Sequence, residues 1–156
     1  MSWTGGCQCG AVRFRIEGDL GEASICHCRM CQKAMGGFFG PFVGPATKGD
    51  LTWTRGERKL FQSSNKVARG FCGDCGTPLT FEYEGQVSSV AIGALDRPGD
   101  VRLTEQLASD AQVPYFAELA DLPVHPEEEP RAAAYLASVV SYQHPDHDTD
   151  AWPPKG

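Results

Sequence analysis

Residues 70–78 read GFCGDCGTP, and the cysteine spacing in that stretch decides the fold. Cys72 and Cys75 flank two residues, with Gly76 directly after the second thiol. Near the N-terminus the stretch 6–10, GCQCG, repeats the idea: Cys7, Cys9, then Gly10. A metal-binding turn aims backbone N–H groups at sulfur, and the residue after the second ligand often takes positive φ to do so. Glycine takes it without strain. A third group, CHCRMCQ at 26–32, holds Cys26, Cys28 and Cys31 but has no such glycine, since Arg29 and Gln32 follow its later thiols.

The glycine-closed pairs together offer four thiolates, Cys7, Cys9, Cys72 and Cys75, enough to close a tetrahedral zinc. Cys26, Cys28 and Cys31 would then hold a second zinc with an open fourth position, the arrangement of catalytic sites. Spacing equally permits a zinc ribbon in which Cys28 and Cys31 join Cys72 and Cys75, leaving Cys7, Cys9 and Cys26 as spare thiols. Both readings bind zinc. Seven cysteines cannot all pair within one chain, and the cytosol, where the chain is expected, keeps thiols reduced.

The bulk numbers frame these sites. A chain of 156 residues with 41% apolar content suits one domain with a real core. Eighteen glycines and eleven prolines suit short strands and tight turns. A net charge of -6 makes a nucleic-acid backbone a poor partner. No apolar run is long enough for a membrane span, and MSWTGGCQCG lacks the basic-then-apolar pattern of a secretory signal.

Strands dominate the expected structure. In AVRFRIE, Val12, Phe14 and Ile16 alternate with Arg13, Arg15 and Glu17, which predicts a half-buried strand. LTFEYE repeats the alternation at Leu79, Phe81 and Tyr83, and VSSVAIGAL at 87–95 is β-branched and small. Weaker strands are expected at 38–43, 51–54, 59–62 and 67–71. Residues 29–35 predict a short helix closed by Gly36 and Gly37. A second helix is expected over 131–142, with Ala132, Tyr135, Leu136, Val139 and Val140 in one stripe, Pro130 at its start and Glu127 to Glu129 before it. The polar, proline-rich end predicts a loose tail. The expected layout is thus a zinc-binding domain over 1–128, a helix over 129–143 that packs on the domain or a partner, and a flexible tail over 144–156.

GGCQCGAVRF, CHCRMCQKAMGG, WTRGE and GFCGDCGTPL, in that order, resemble the glutathione-dependent formaldehyde-activating enzyme (GFA, or CENP-V/GFA) family over roughly residues 3 to 125. The resemblance implies a mainly β, Mss4-like β-tent of antiparallel sheets pinned by zinc. It implies a structural zinc on Cys7, Cys9, Cys72 and Cys75, and a catalytic zinc on Cys26, Cys28 and Cys31, in line with the four-plus-three division. It also implies a carbon–sulfur lyase, of the S-(hydroxymethyl)glutathione synthase type, joining glutathione or a similar thiol to formaldehyde or another small aldehyde. The thiol would dock as thiolate at the open three-cysteine zinc. A homodimer is compatible with it. Two other readings stand beside the enzyme: a non-catalytic zinc module that binds a protein, and a thiol sensor that releases zinc on oxidation.

Other residues near the motifs are less specific. His27 sits between two ligands, and an extended backbone there turns it away from Cys26 and Cys28, toward a structural role. His125, His144 and His147 read as solvent residues. Arg29, Lys33, Arg55, Arg58 and Arg69 are the cations available for an anionic thiol, and Phe38, Phe39 and Phe42 are candidates for a pocket wall or the core.

Overall fold

The computed structural model describes residues 1–47, 49–124 and 130–152. Two sheets form. The smaller has the order β1 (Ser2–Gly6), β2 (Arg13–Glu17), β5 (Leu51–Arg55). The larger runs β10 (Glu105–Leu107), β3 (Leu20–Cys26), β4 (Gly40–Pro45), β9 (Gln86–Ala91), β8 (Pro78–Tyr83), β7 (Val67–Phe71), β6 (Lys59–Gln62). Neighbours pair antiparallel except β10 and β3, which are parallel. The class is mainly β, with few helices.

One apolar cluster joins the sheets. Phe14 and Ile16 of β2 are fully buried, as are Leu79 of β8 and Val90 of β9, with Val43 of β4 beside them. Burying each such side chain contributes roughly 1.5–3 kcal/mol. The alternation in 11–17 thus sets the inner face as expected, with one exception. Arg13 reads as solvent-facing, yet it is 3% exposed, held by Asp96 and Asp148.

The helix α1 (Arg29–Met35) begins on Cys28 and ends on Gly36 at φ 67°, the left-handed cap expected there. The strand expected to continue to residue 95 stops at Ala91 and becomes a 3-10 turn over Ile92–Ala94. The second helix, α2 (Pro130–Ser138), is shorter than its stripe predicts. Tyr135 and Leu136 are exposed, and so are Val139 and Val140 beyond its end. His125 and Glu127 to Glu129 lie outside the described residues.

The tail departs from its polar composition. Up to Trp152 it is docked on the smaller sheet. His144 N–H donates to the Gln8 carbonyl at 2.8 Å. Asp148 accepts from Arg13 at 2.8 Å and from Arg15 at 3.1 Å, and Thr149 accepts from Arg55. His144, read from sequence as a solvent residue, is 3% exposed and packs edge-on against Trp152. Ion pairs with residues more than a hundred positions earlier override local composition.

Candidate metal centre

The seven sulfurs fall into two groups. Sγ atoms of Cys7, Cys9, Cys72 and Cys75 all lie within 4.8 Å of one another, and so do those of Cys26, Cys28 and Cys31. The ribbon pairing of Cys28 and Cys31 with Cys72 and Cys75 is not formed. All seven cysteines are free thiols.

The four-sulfur group is assembled by two turns of similar design. The turn after β1 and the turn after β7 each close with a hydrogen bond from the first cysteine's N–H to a carbonyl five residues on: Cys7 to Val12 and Cys72 to Thr77, both at 2.9 Å. Gly10 stands at φ 74° and Gly76 at φ 78°. Both are in the left-handed region that the sequence demanded. Gly10 has a second reason to be glycine: a Cβ there would collide with the rings of His144 and Trp152. The N–H groups of Val12 and Asp74 point at Sγ of Cys7 and Cys72, at 3.2 and 3.4 Å. Cys7 and Cys9 sulfurs are 3.5 Å apart, and Cys9 and Cys72 sulfurs 3.8 Å. A tetrahedron with Zn–S bonds of ~2.3 Å has sulfur–sulfur edges of about 3.8 Å, so the donor set fits zinc.

The three-sulfur group sits where β3 meets α1. Cys26 ends the strand, Cys28 is the helix N-cap, and Cys31 lies in the first turn, its N–H 3.4 Å from Cys28 Sγ. Among the described residues no fourth His, Cys, Asp or Glu joins this group. The thiols are electrostatically opposed. Burial pushes Cys31 up to about 12, against the pull of Arg69. For Cys28, burial also favours the thiol, but hydrogen bonds from Cys31 and its neighbours outweigh it, and its pKa is lowered. The same split separates Cys9, pushed to about 12 chiefly by burial, from the exposed Cys75, lowered to about 6 as hydrogen bonds led by the Thr77 hydroxyl overcome its partial desolvation. Crowded thiols cannot all ionise without a cation among them, and a metal ion supplies that charge.

Of the five candidate cations, Arg69 alone contacts a cysteine: its Nη2 lies 3.3 Å from Cys31 Sγ. Arg58 is paired with Glu82, Arg55 with the docked tail, and Arg29 with Gln32. Lys33 and Arg69 line a cavity of about 390 Å³ between α1 and strands β6 to β8. Phe42 forms part of its wall, whereas Phe39 packs against His27 and Phe38 against Tyr115. His27 is fully buried between Phe39 and Phe116, its Nε2 3.0 Å from Gln106 Oε1, outside both sulfur groups. Gln32 donates to the His27 and Ala111 carbonyls, fastening the segment after β10 over the helix. Sequence reasoning missed that segment, along with Asp96 and Asp148, because nothing local marks a long-range partner.

Among curated protein sequences, none matches the chain. Among solved structures, the crystal structure of a Rhodobacter sphaeroides protein from a structural genomics programme is similar over 66% of this chain and 98% of its own, at 24% identity and a TM-score of 0.48. The sequence model described as "Glutathione-dependent formaldehyde-activating enzyme" matches residues 2–113, a span that holds both cysteine groups and ends before the docked tail. The chain belongs to the GFA family.

Proposed function

We propose that this protein is a zinc enzyme of carbon–sulfur lyase type. It joins a small thiol, glutathione or a similar one, to formaldehyde or another small carbonyl, and runs the reverse cleavage. Cys7, Cys9, Cys72 and Cys75 hold a structural zinc; Cys26, Cys28 and Cys31 hold a catalytic one. The observation that carries this reading is the three-sulfur group without a fourth protein ligand among the described residues. A scaffold needs only the four-sulfur site, so a second, incomplete one favours an enzyme.

Zinc at Cys26, Cys28 and Cys31 would supply a Lewis acid that takes a thiol as thiolate at neutral pH. The chain's own residues prepare that place. Three thiolates around a divalent ion leave a net charge of about -1, which disfavours a further anion. Arg69, buried and bonded to Cys31, offsets that charge. Its hydrogen bond also draws electron density from one sulfur. His27, walled off by Phe39 and Phe116, holds the Cys26–Cys28 backbone: its N–H donates to the Leu107 carbonyl at 2.9 Å. The unpaired thiols suit the reducing cytosol as the place of action.

The test is exchange of the hydroxymethyl–glutathione adduct with and without protein, since the uncatalysed reaction is itself appreciable. Acceleration by the wild type and none by Cys28→Ser is expected. No acceleration over background by the zinc-loaded wild type would remove the glutathione–formaldehyde activity and leave the substrate open.

A further inference from the structure

The turn that carries Cys7 and Cys9 is covered by the far end of the chain. His144 N–H donates to the Gln8 carbonyl at 2.8 Å, between the two ligands. The rings of His144 and Trp152 lie so close to Gly10 that a Cβ there would overlap both. Arg55 Nη1 donates to the Gly10 carbonyl at 3.1 Å, and Nη2 of the same guanidinium donates to the Thr149 hydroxyl at 3.0 Å. That hydroxyl lies 3.0 Å from His144 Nε2, while His144 Nδ1 is 2.6 Å from the Pro145 carbonyl. One tautomer satisfies the set: Nδ1–H donates to Pro145, and Nε2 accepts from Thr149. On the other side, Gln8 N–H donates to the Thr77 hydroxyl at 3.0 Å, beside the turn that carries Cys72 and Cys75. The turn at 7–10 is thus braced by its partner turn and by the tail. Tyr135, Leu136, Val139, Val140 and Tyr142, which lead into the tail, are exposed. The tail's grip on the domain is concentrated at this turn and at the arginines beside it.

We propose that residues 143–152 form a strap that keeps the four-sulfur site closed and slows the loss of its zinc. This rests on the reading of Cys7, Cys9, Cys72 and Cys75 as a zinc site. For the metal to leave, a sulfur must swing away and its turn must open locally. Opening the 7–10 turn breaks the bond from His144 to Gln8 and lifts Gly10 off both rings, so the docked strap opposes it. The tail's hydrogen bonds to the domain reach Gln8, Arg13, Arg15 and Arg55, and among the described residues none reaches the triplet at 26–31. The strap therefore acts on one site and not on the other. It also lies outside the 2–113 span that the family model matches, so it is no part of the shared cysteine pattern.

The test follows zinc release into excess chromophoric chelator over time. Iodoacetamide labelling with peptide mass spectrometry tells which cysteines each phase uncovers. In the full, zinc-loaded chain, the phase that uncovers Cys7, Cys9, Cys72 and Cys75 should be the slow one. A chain ended at Tyr142 should quicken that phase about tenfold or more, the worth of one or two hydrogen bonds. The phase that uncovers Cys26, Cys28 and Cys31 should not change. His144→Ala combined with Trp152→Ala strips both rings from Gly10 and spares the backbone bond. It should quicken the same phase by a smaller factor, and it decides the matter if the shortened chain does not fold. Both phases quickened alike would reduce the tail to general support of the fold and overturn the proposal. A four-sulfur phase unchanged in both variants would remove the strap and leave the zinc site standing. A full chain whose four sulfurs hold no zinc would overturn the reading of that site and the strap with it.

Discussion

Arg69 Nη2 lies 3.3 Å from Cys31 Sγ, so a buried guanidinium sits on one corner of the three-sulfur group. Among the described residues no cation is hydrogen-bonded to the four-sulfur group, where Cys7 and Cys72 accept from backbone N–H groups instead. The two sites should therefore respond differently to loss of one positive charge.

Arg69→Met should weaken zinc at the triplet and leave the other site intact. A hydrogen bond to a charged group is worth about 1.5–3 kcal/mol, or roughly a 10- to 100-fold change in affinity. Titration with a chromophoric chelator should show two zinc ions per wild-type chain and, in the variant, one released at lower chelator concentration. Equal loosening of both ions would contradict the assignment.

Cys72→Ser and Cys28→Ser should separate the sites by stability. The four-sulfur site ties the turn after β1 to the turn after β7, and so the small sheet to the large one. Structural zinc contributes about 10–16 kcal/mol in small zinc peptides, comparable to the 5–15 kcal/mol that stabilise a whole domain. Cys72→Ser should therefore lose cooperative thermal unfolding by circular dichroism. Cys28→Ser should unfold near the wild-type temperature, retain one zinc and lack activity. Collapse of both variants would sink the division of labour.

Asp96 and Asp148 both bind Arg13, but from different surroundings. Asp96 is 7% exposed and reaches Arg13 through two bonds, at 2.5 and 2.8 Å; Asp148 is 36% exposed. Removing one partner of a buried pair strands the other charge and costs about 3–5 kcal/mol. An exposed partner costs about 1 kcal/mol or less. Asp96→Ala should thus lower the urea midpoint several times more than Asp148→Ala, at similar slope. Equal effects would mean that the docked tail, not Asp96, carries Arg13.

How far the sequence could be read follows the range of the interactions. Gly10 and Gly76 were legible because a ligand turn sets its own φ within a few residues. Phe14 and Ile16 were legible because alternation is local and their face meets the core. Strand β3 was not: in LGEASIC only Ala23 and Ile25 are buried, and Gly21 and Glu22 break the pattern. β10 is three exposed residues held by pairing with β3, which composition does not mark. Arg13 read as exposed because its cover, Asp148, is 135 positions away. Arg69 was one of five equivalent cations on paper; only its hydrogen bond to Cys31, 38 positions earlier, singles it out.

Glu82 gives the last prediction, through pH. Its side chain is 1% exposed, which alone would raise its pKa. Arg58 at 2.7 and 2.9 Å and the Thr80 hydroxyl at 2.8 Å outweigh burial and hold the carboxyl below its usual value of 4.5. A carboxylate with a depressed folded pKa stabilises fully above the unfolded value and loses that contribution as pH falls through the folded one. Stability should therefore drop as pH falls below about 4.5, and zinc release by cysteine protonation will add to the drop. Glu82→Gln isolates the carboxylate. It should be less stable than wild type at pH 7 and converge toward it in acid, because only the wild type has this ionisation to lose. Urea unfolding of both proteins across that range, at saturating zinc, reads the difference. A gap that stays constant with pH would show that Glu82 contributes by packing and not by charge.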